Sequence, residues 1–348
     1  MSKKYLSALL AGAMLSSGAV FGGNPDRQGE AGANQLLINP WARSAGLHTM
    51  NTSMVTGTDA MFINVAGLSR INKMQVNLGN TRYLEGADIQ VNSLGFATKV
   101  GKGGGAIGLS LVAFNFGAIE VTTENSPEGT GATFSPSFVN IGLSYSRTFS
   151  NKVSVGITAK AVSESLANVG ARALALDAGV QYVTGVKDNF KFGISLRNVG
   201  NKMQYTGEGL AKVRPSGNVQ GYPITYYERS AAYELPSQLN IGASYDFWLA
   251  KLARLTVLGN FTSNSFSRDQ YGGGLELGWG QNFALRVAYK NEFDDVAGQS
   301  TLDNGLSAGL SISTPFKKGS DSRLSFDYSY RTTDIYKGIH NLGIRLDL

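Results

Sequence analysis

The sequence predicts an all-β fold, a fourteen-stranded antiparallel transmembrane β-barrel with a small N-terminal plug segment ahead of it. Three observations carry that prediction. Apolar and polar residues alternate in stretch after stretch to the end of the chain. Most of these stretches run about nine residues or longer, the length at which a tilted strand crosses a bilayer. The connections between them are short and long in turn.

The alternation is clearest at the C-terminal end. Leu342, Ile344, Leu346 and Leu348 share one face of an extended strand, and Asn341, Gly343, Arg345 and Asp347 share the other. The preceding stretch sets Leu324, Phe326, Tyr328 and Tyr330 against Arg323, Ser325, Asp327, Ser329 and Arg331. Strand side chains point alternately to opposite faces, so a period of two separates two environments. A soluble sandwich would turn the charged face outward. A membrane barrel turns the apolar face to lipid and the charged face to the lumen. Alternation alone leaves both open, and the rest of the chain decides.

The 348 residues suffice for one large domain or two ordinary ones. Glycine is abundant at 44, and charged residues make up only 16%. No run of about 18 apolar residues occurs, which excludes a spanning helix beyond the N-terminus. Cysteine is absent, which excludes disulfides, thiolate metal sites, a cysteine nucleophile and a lipoprotein anchor. The formal charge of +6 falls to +4 without Lys3 and Lys4, too mild to argue for nucleic acid.

Residues 1–19 read as a secretory signal. Lys3 and Lys4 form a positive start, Leu6 to Leu15 a short apolar core, and Ser16, Ser17, Gly18 and Ala19 a small-residue cleavage region. Residues 20–72 do not alternate and read as a compact plug with short helical turns. The barrel occupies residues 73–348. Its candidate strands are 73–83, 88–100, 104–116, 137–149, 153–163, 171–184, 190–198, 236–248, 254–264, 270–280, 283–292, 303–316, 322–332 and 338–348. Sandwich strands are shorter, with a mode of about 5–6 residues.

Outer-membrane barrels have short periplasmic turns and longer outer loops. Here 101–103, 150–152, 185–189, 249–253, 281–282 and 317–321 are short, whereas 117–136, 164–170, 199–235 and 293–302 are longer. The connections near Glu85 and Asp334 are short and break the rule. The short turns carry Lys102, Lys152, Lys187, Lys251, Lys317 and Lys318, and the long loops carry acids such as Glu120, Glu208, Glu228, Asp294 and Asp295. Trp248 and Trp279 fall at periplasmic strand ends, where an aromatic girdle would place them. Arg197, Asp246, Glu276, Arg286, Asp327 and Arg345 face inward on this register, with Lys160, Asp177 and Arg331. Buried charges need partners or water.

Little in the chain points to catalysis. Of the two histidines, His48 lies in the plug and His340 starts the last strand, and neither has a serine and an acid at triad spacing. Residues 101–105 resemble a phosphate loop only in composition, and Gly272 to Gly274 read as a strand kink or bulge. No cofactor and no metal site is expected. The longest loop, 199–235, differs in texture. Tyr205, Tyr222, Tyr226, Tyr227 and Tyr233 interleave with Lys202, Lys212, Arg214 and Arg229. Tyrosine and arginine are enriched where proteins meet proteins, so Tyr222, Tyr226, Tyr227 and Arg229 are the candidate partner surface. The alternative is a lid folded over the barrel's own mouth.

The plug carries a resemblance. Leu36-Leu-Ile-Asn-Pro-Trp-Ala-Arg-Ser-Ala-Gly46, then Thr58-Asp-Ala60, then Asn64-Val-Ala-Gly-Leu68 resembles the opening of the PorV/PorQ family, whose barrels are of the FadL-like fourteen-stranded type. Leu47-His48 stands where Met-Gly is usual, and Val65 where proline is usual. Arg43, Gly46, Asn64, Ala66 and Gly67 are the motif residues. The resemblance implies an outer-membrane location and a role in type IX secretion, with the translocon barrel and cargo C-terminal domains as partners and no catalysis. A FadL-like transporter of hydrophobic small molecules is the alternative, and a lipid-modifying enzyme a weaker one. A transporter needs a continuous apolar pocket, whereas a cargo shuttle needs a plugged lumen and adhesive outer loops. The inward charges favour the shuttle.

Overall fold

The computed structural model describes residues 25–101, 103–150, 152–215, 222–293, 304–316, 321–333 and 336–348. The signal segment, Lys102, Lys317, Lys318, Asp294 and Asp295 lie outside the described residues. The strands are β1 (Met74–Tyr83), β2 (Ile89–Val100), β3 (Gly105–Asn115), β4 (Ile119–Glu120), β5 (Thr133–Phe134), β6 (Ser137–Phe149), β7 (Val153–Leu166), β8 (Val169–Thr184), β9 (Phe190–Gly200), β10 (Ala211–Pro215), β11 (Pro223–Tyr227), β12 (Gln238–Trp248), β13 (Ala253–Asn264), β14 (Gln270–Trp279), β15 (Phe283–Glu292), β16 (Gly305–Pro315), β17 (Arg323–Arg331) and β18 (Ile339–Asp347). Fourteen of them close a barrel in which β1 pairs with β18, and β4–β5 and β10–β11 form two small separate hairpins.

The faces fall as the alternation requires. Ile344 is 46% exposed on the outside and Arg345 only 7% on the inside. Along β6, Ile141, Leu143 and Tyr145 point out while Asn140, Ser144 and Ser146 are buried. Trp248 and Trp279 are exposed at the short-turn end, with Lys187 5.3 Å from the Trp248 ring. The long loops gather at the other end, which is the outer end by the usual barrel rule.

Two local expectations fail. Residues 164–170 are not a loop. β7 and β8 run on to a turn at Ala167 and Asn168, with Ala167 at φ 48°. The polar run Ser163-Glu164-Ser165 stays in the sheet because Glu164 turns inward and is buried. Gly272 to Gly274 pair in continuous register on both sides, without a bulge. The register shift lies instead between Leu176 and Ala178, against β9. Gly272 and Gly274 make room for the plug, since a Cβ on Gly272 would collide with Met50 and one on Gly274 would crowd Ala288 and approach Leu47.

The plug is built of short turns: one-turn helices Ala42–Ala45 and Ala60–Ile63, with 3-10 turns at Asn34–Leu37, Gly57–Asp59 and Val65–Arg70. It is not confined to the periplasmic end. Arg27 lies 4.4 Å from the Phe266 ring and Gly32 N donates to Glu234 O at 3.0 Å, both at the outer mouth. The chain then descends the lumen to Arg70, beside Lys152 in a periplasmic turn. Leu47, Met50, Ile63 and Leu68 are buried inside the barrel.

Glycine sets how closely the plug can seat. A Cβ on Gly309 of β16 would sit 2.9 Å from the Gly46 Cα, which no side chain tolerates. Gly309→Val should therefore unseat residues 42–50 at a cost of about 1–3 kcal/mol, the usual price of overpacking. The expected result is a barrel that keeps its heat-modifiable migration on gels while trypsin cuts at Arg43. A plug as resistant as wild type would refute the seating argument.

Candidate functional site

The plug motif residues hold the plug together and to the wall. Arg43 donates to Thr56 O and lies 3.4 Å from Asp59, which Ser44 Oγ and Asn77 Nδ2 also reach, at 2.8 and 3.1 Å. Gly46 meets β16 at Gly309. Asn64 Nδ2 donates to Thr52 O and to Val180 O of β8, both at 3.0 Å, and its Oδ1 accepts from Ala66 N. Ala66 is fully buried, and its carbonyl accepts from Ser69 and from Ser146 of β6. Gly67 lies within a 3-10 turn, where a Cβ would collide with Val55 O.

Arg197, Asp246, Glu276, Arg286, Asp327 and Arg345 all point inward and are buried. Glu276 accepts from Arg254 at 2.6 Å and Arg286 at 2.7 Å, and Arg286 also reaches Ser311. Arg345 lies 3.3 Å from both Asp327 and Asp347. Asp246 pairs with Lys191 and accepts from Thr256 at 2.7 Å. Of these groups, Lys191, Arg254, Glu276, Arg286, Ser311 and Arg345 line a polar cavity of about 270 Å³ with Arg43. Arg197 stands apart. It stacks on the Phe62 ring at 4.2 Å and donates to Leu36 O at 3.2 Å, near the ion pair of Lys160 and Asp177 at 2.7 Å.

The expectation of a charged lumen holds for only part of it. At the outer end of β2, β3 and β6 the inward face is apolar. Val91, Val112 and Phe114 are buried there against Ile38, Tyr83, Phe116 and Phe138. Phe116 and Phe138 meet edge to face at 4.8 Å. Beside this cluster an outer vestibule of about 350 Å³ is bounded by Ile38, Tyr83 and Phe266 and by polar and charged groups that include Gln28, Glu292 and Arg331. Beneath it, Ile38 also borders a small inner gap between the plug and the wall. The sequence signal was present. Leu109-Ser-Leu-Val-Ala-Phe114 is apolar on both faces, so alternation fades where the lumen turns apolar. A larger apolar depression of about 620 Å³ lies on the outside of the wall, among Leu78, Phe326, Leu342 and Ile344.

The long loop divides in two. Its base is a lid. Met203 is fully buried, and Tyr205 and Tyr233 both donate to the buried Glu164 carboxylate, Tyr233 at 2.9 Å. Gln35 of the plug donates to the same carboxylate at 2.7 Å. Burial and the bond to Glu164 push the Tyr205 phenol up to about 12, and push Tyr233 up as well. The other half is the β10–β11 hairpin. Tyr222, Tyr227 and Arg229 are exposed there; Tyr226 is half-buried, with the Arg214 guanidinium 5.3 Å from its ring. Tyr227 bonds Glu208 at 3.0 Å.

Solved structures share this architecture. The Pseudomonas putida toluene transporter TodX matches at 14% identity over 89% of this chain and 97% of that one, with a TM-score of 0.52. The Ralstonia pickettii toluene transporter TbuX matches at 13% over the same shares, also at 0.52. The CymD monoaromatic hydrocarbon channel matches at 14% and 0.52, over 89% and 97%. The fold is FadL-like. At these identities the likeness is one of fold. No protein-family model and no curated protein matches the chain. The PorV/PorQ resemblance therefore rests on the plug motif alone.

Glu164 joins plug, wall and lid through three hydrogen bonds, and such bonds to a charged group contribute about 1.5–3 kcal/mol each. Glu164→Ala should speed amide exchange at residues 33–37 and 203–206 by about tenfold or more, with the β12–β18 strand amides unchanged. Unchanged exchange in both segments would show that the latch carries no load.

Proposed function

We propose that this protein is an outer-membrane channel for small hydrophobic molecules, gated by its own plug. One observation carries the reading. The apolar cluster of Val91, Val112, Phe114, Phe116 and Phe138 faces the lumen, where a water-filled pore or a simple scaffold would have polar groups. Apolar lining with a few placed polar groups is the general character of a small-molecule site. Ile38 and Tyr83, which pack against this cluster, also border the outer vestibule, so a guest entering from outside passes beside it. The shared fold with toluene transporters and a hydrocarbon channel supports the same direction. The inward ion pairs are then the structural lining of the periplasmic half. No step in this function is catalytic.

A second reading remains tied to a separate observation. The β10–β11 hairpin projects Val213, Tyr222, Ile224 and Tyr227 into water. Exposed apolar groups gathered in one place mark a partner surface. With the plug motif, this supports a type IX secretion role in which the hairpin meets the translocon barrel or cargo C-terminal domains.

The two readings separate in a host whose outer membrane lacks its own hydrophobic-molecule channels. Uptake of labelled toluene should rise severalfold above vector, and Phe114→Asp should return it to background while the barrel stays heat-modifiable. Alanine at Tyr222, Tyr226, Tyr227 and Arg229 together should leave uptake intact. Uptake at background in wild type, with a native co-purifying partner lost in the quadruple variant, would replace the channel reading with the secretion one.

A further inference from the structure

The inner gap has an amphipathic lining. Leu36, Ile38, Trp41, Met61 and Phe62 supply the plug side, and Val112 the wall side. Three polar residues of the wall also border it: Ser110, Asn140 and Lys160. Lys160 is engaged by Asp177 and by Asn198. Asn140 is not. It is 9% exposed, and its side-chain oxygen is buried without a protein partner. A buried amide oxygen left unpaired is costly, and such groups in native structures call for an explanation.

The position of Asn140 suggests one. It lies on β6 opposite Val112 of β3, within the apolar sector. Ser110 is opposite Gly142, two residues further toward the periplasm. A Cβ on Gly142 would stand 2.6 Å from Ser110 Oγ, so glycine there keeps the hydroxyl clear. A guest that passes Ile38, which borders both the outer vestibule and the gap, thus reaches an amide and a hydroxyl. Below them stands the Lys160–Asp177 pair, already satisfied.

We infer that the gap around Asn140 is a selectivity site for apolar molecules that carry one hydroxyl group. The inference rests on the channel reading and specifies its substrate class. A hydroxyl both donates and accepts, so it satisfies the Asn140 amide in either orientation of its oxygen and nitrogen. A pure hydrocarbon leaves the amide unpaired, and that asymmetry is what lets a polar group in an apolar pocket discriminate. With the plug seated the gap measures about 30 Å³, room for water-sized molecules. A ring-sized guest enters only as Ile38 and Phe62 give way, so recognition and plug displacement are one step.

Trp41 borders the gap and reports on it. The chain has three tryptophans, so Trp248→Phe with Trp279→Phe leaves Trp41 as the sole emitter in the full-length barrel. Cyclohexanol and methylcyclohexane have nearly the same shape and differ in the hydroxyl. Cyclohexanol should shift Trp41 emission at a concentration at least about tenfold lower than methylcyclohexane. Asn140→Leu should abolish that preference while leaving methylcyclohexane binding equal or tighter. Asn140→Ala gives the same reading if the leucine variant loses heat-modifiability. Equal binding of both probes in wild type, or an unchanged preference in the variants, overturns the inference and leaves the channel reading standing. Silence of Trp41 toward both probes also overturns it. If toluene uptake is at background as well, the channel reading falls with it.

Discussion

A closed sheet of fourteen strands encloses more room than its own inward side chains can fill. Everything distinctive about this molecule follows from how that room is occupied. The filling is backbone as much as side chain: short helical turns of residues 34–70 stacked down the lumen. Their polar groups need partners, and the wall supplies them. Asn64 reaches Val180 O, Gln181 donates to Thr52 O and Val55 O, and Ser53 meets Ser244 at 2.9 Å. Where the plug backbone comes closest, the wall carries glycine, at Gly156 against Val65 and at Gly309 against Gly46. The inward face of the barrel is thus a mould whose polar, apolar and empty positions match one particular insert.

That mould is also uneven around the circumference. Ion pairs occupy the periplasmic half on β12 to β18, and aromatic and branched residues the outer half on β2, β3 and β6. Under the proposed function, the polar sector holds the plug and the apolar sector receives the guest. Glu164 sits at the outer boundary, where lid, wall and plug converge on one carboxylate. A buried acid held by Gln35, Tyr205 and Tyr233 is sensitive to any one of them moving, which suits a junction between plug, wall and lid.

Much of the fold was legible in the sequence because lipid imposes its rule on every strand. One face of each spanning strand must be apolar, so strand existence and register could be read from alternation alone. The lumen imposes no comparable rule, and the errors gather there. Glu164 looked like a loop residue because its partners, Gln35, Tyr205 and Tyr233, are far away in sequence. Gly272 to Gly274 looked like a bend because the plug that approaches them lies more than 200 residues earlier in the chain. The inward charges are legible in the alternation, but they describe only part of the interior. Phe114 and Val112 were hidden because an apolar residue on the second face of a strand resembles a lapse in pattern. Asn140 has no sequence signature at all. An inward asparagine in a barrel strand is ordinary until its neighbours are known to be Phe62, Ile38 and Trp41.

The placement of the plug also bears on how the barrel closes. The sheet closes where β1 meets β18, from Gln75 opposite Asp347 to Arg82 opposite His340. Plug residues bond to both sides of that seam: Thr58 N to Gln75 at 2.6 Å and Asp59 to Asn77 on one strand, and Asn39 O to Asn341 on the other. The insert is continuous with β1, and its far end rests at the opposite mouth. A finished cylinder would have to be threaded by its own N-terminal segment, a slow search through a narrow opening. Closure around a segment already lying in the groove of an unclosed sheet avoids that search. The contacts on both seam strands thus favour closing the sheet around the plug over inserting the plug into a closed cylinder.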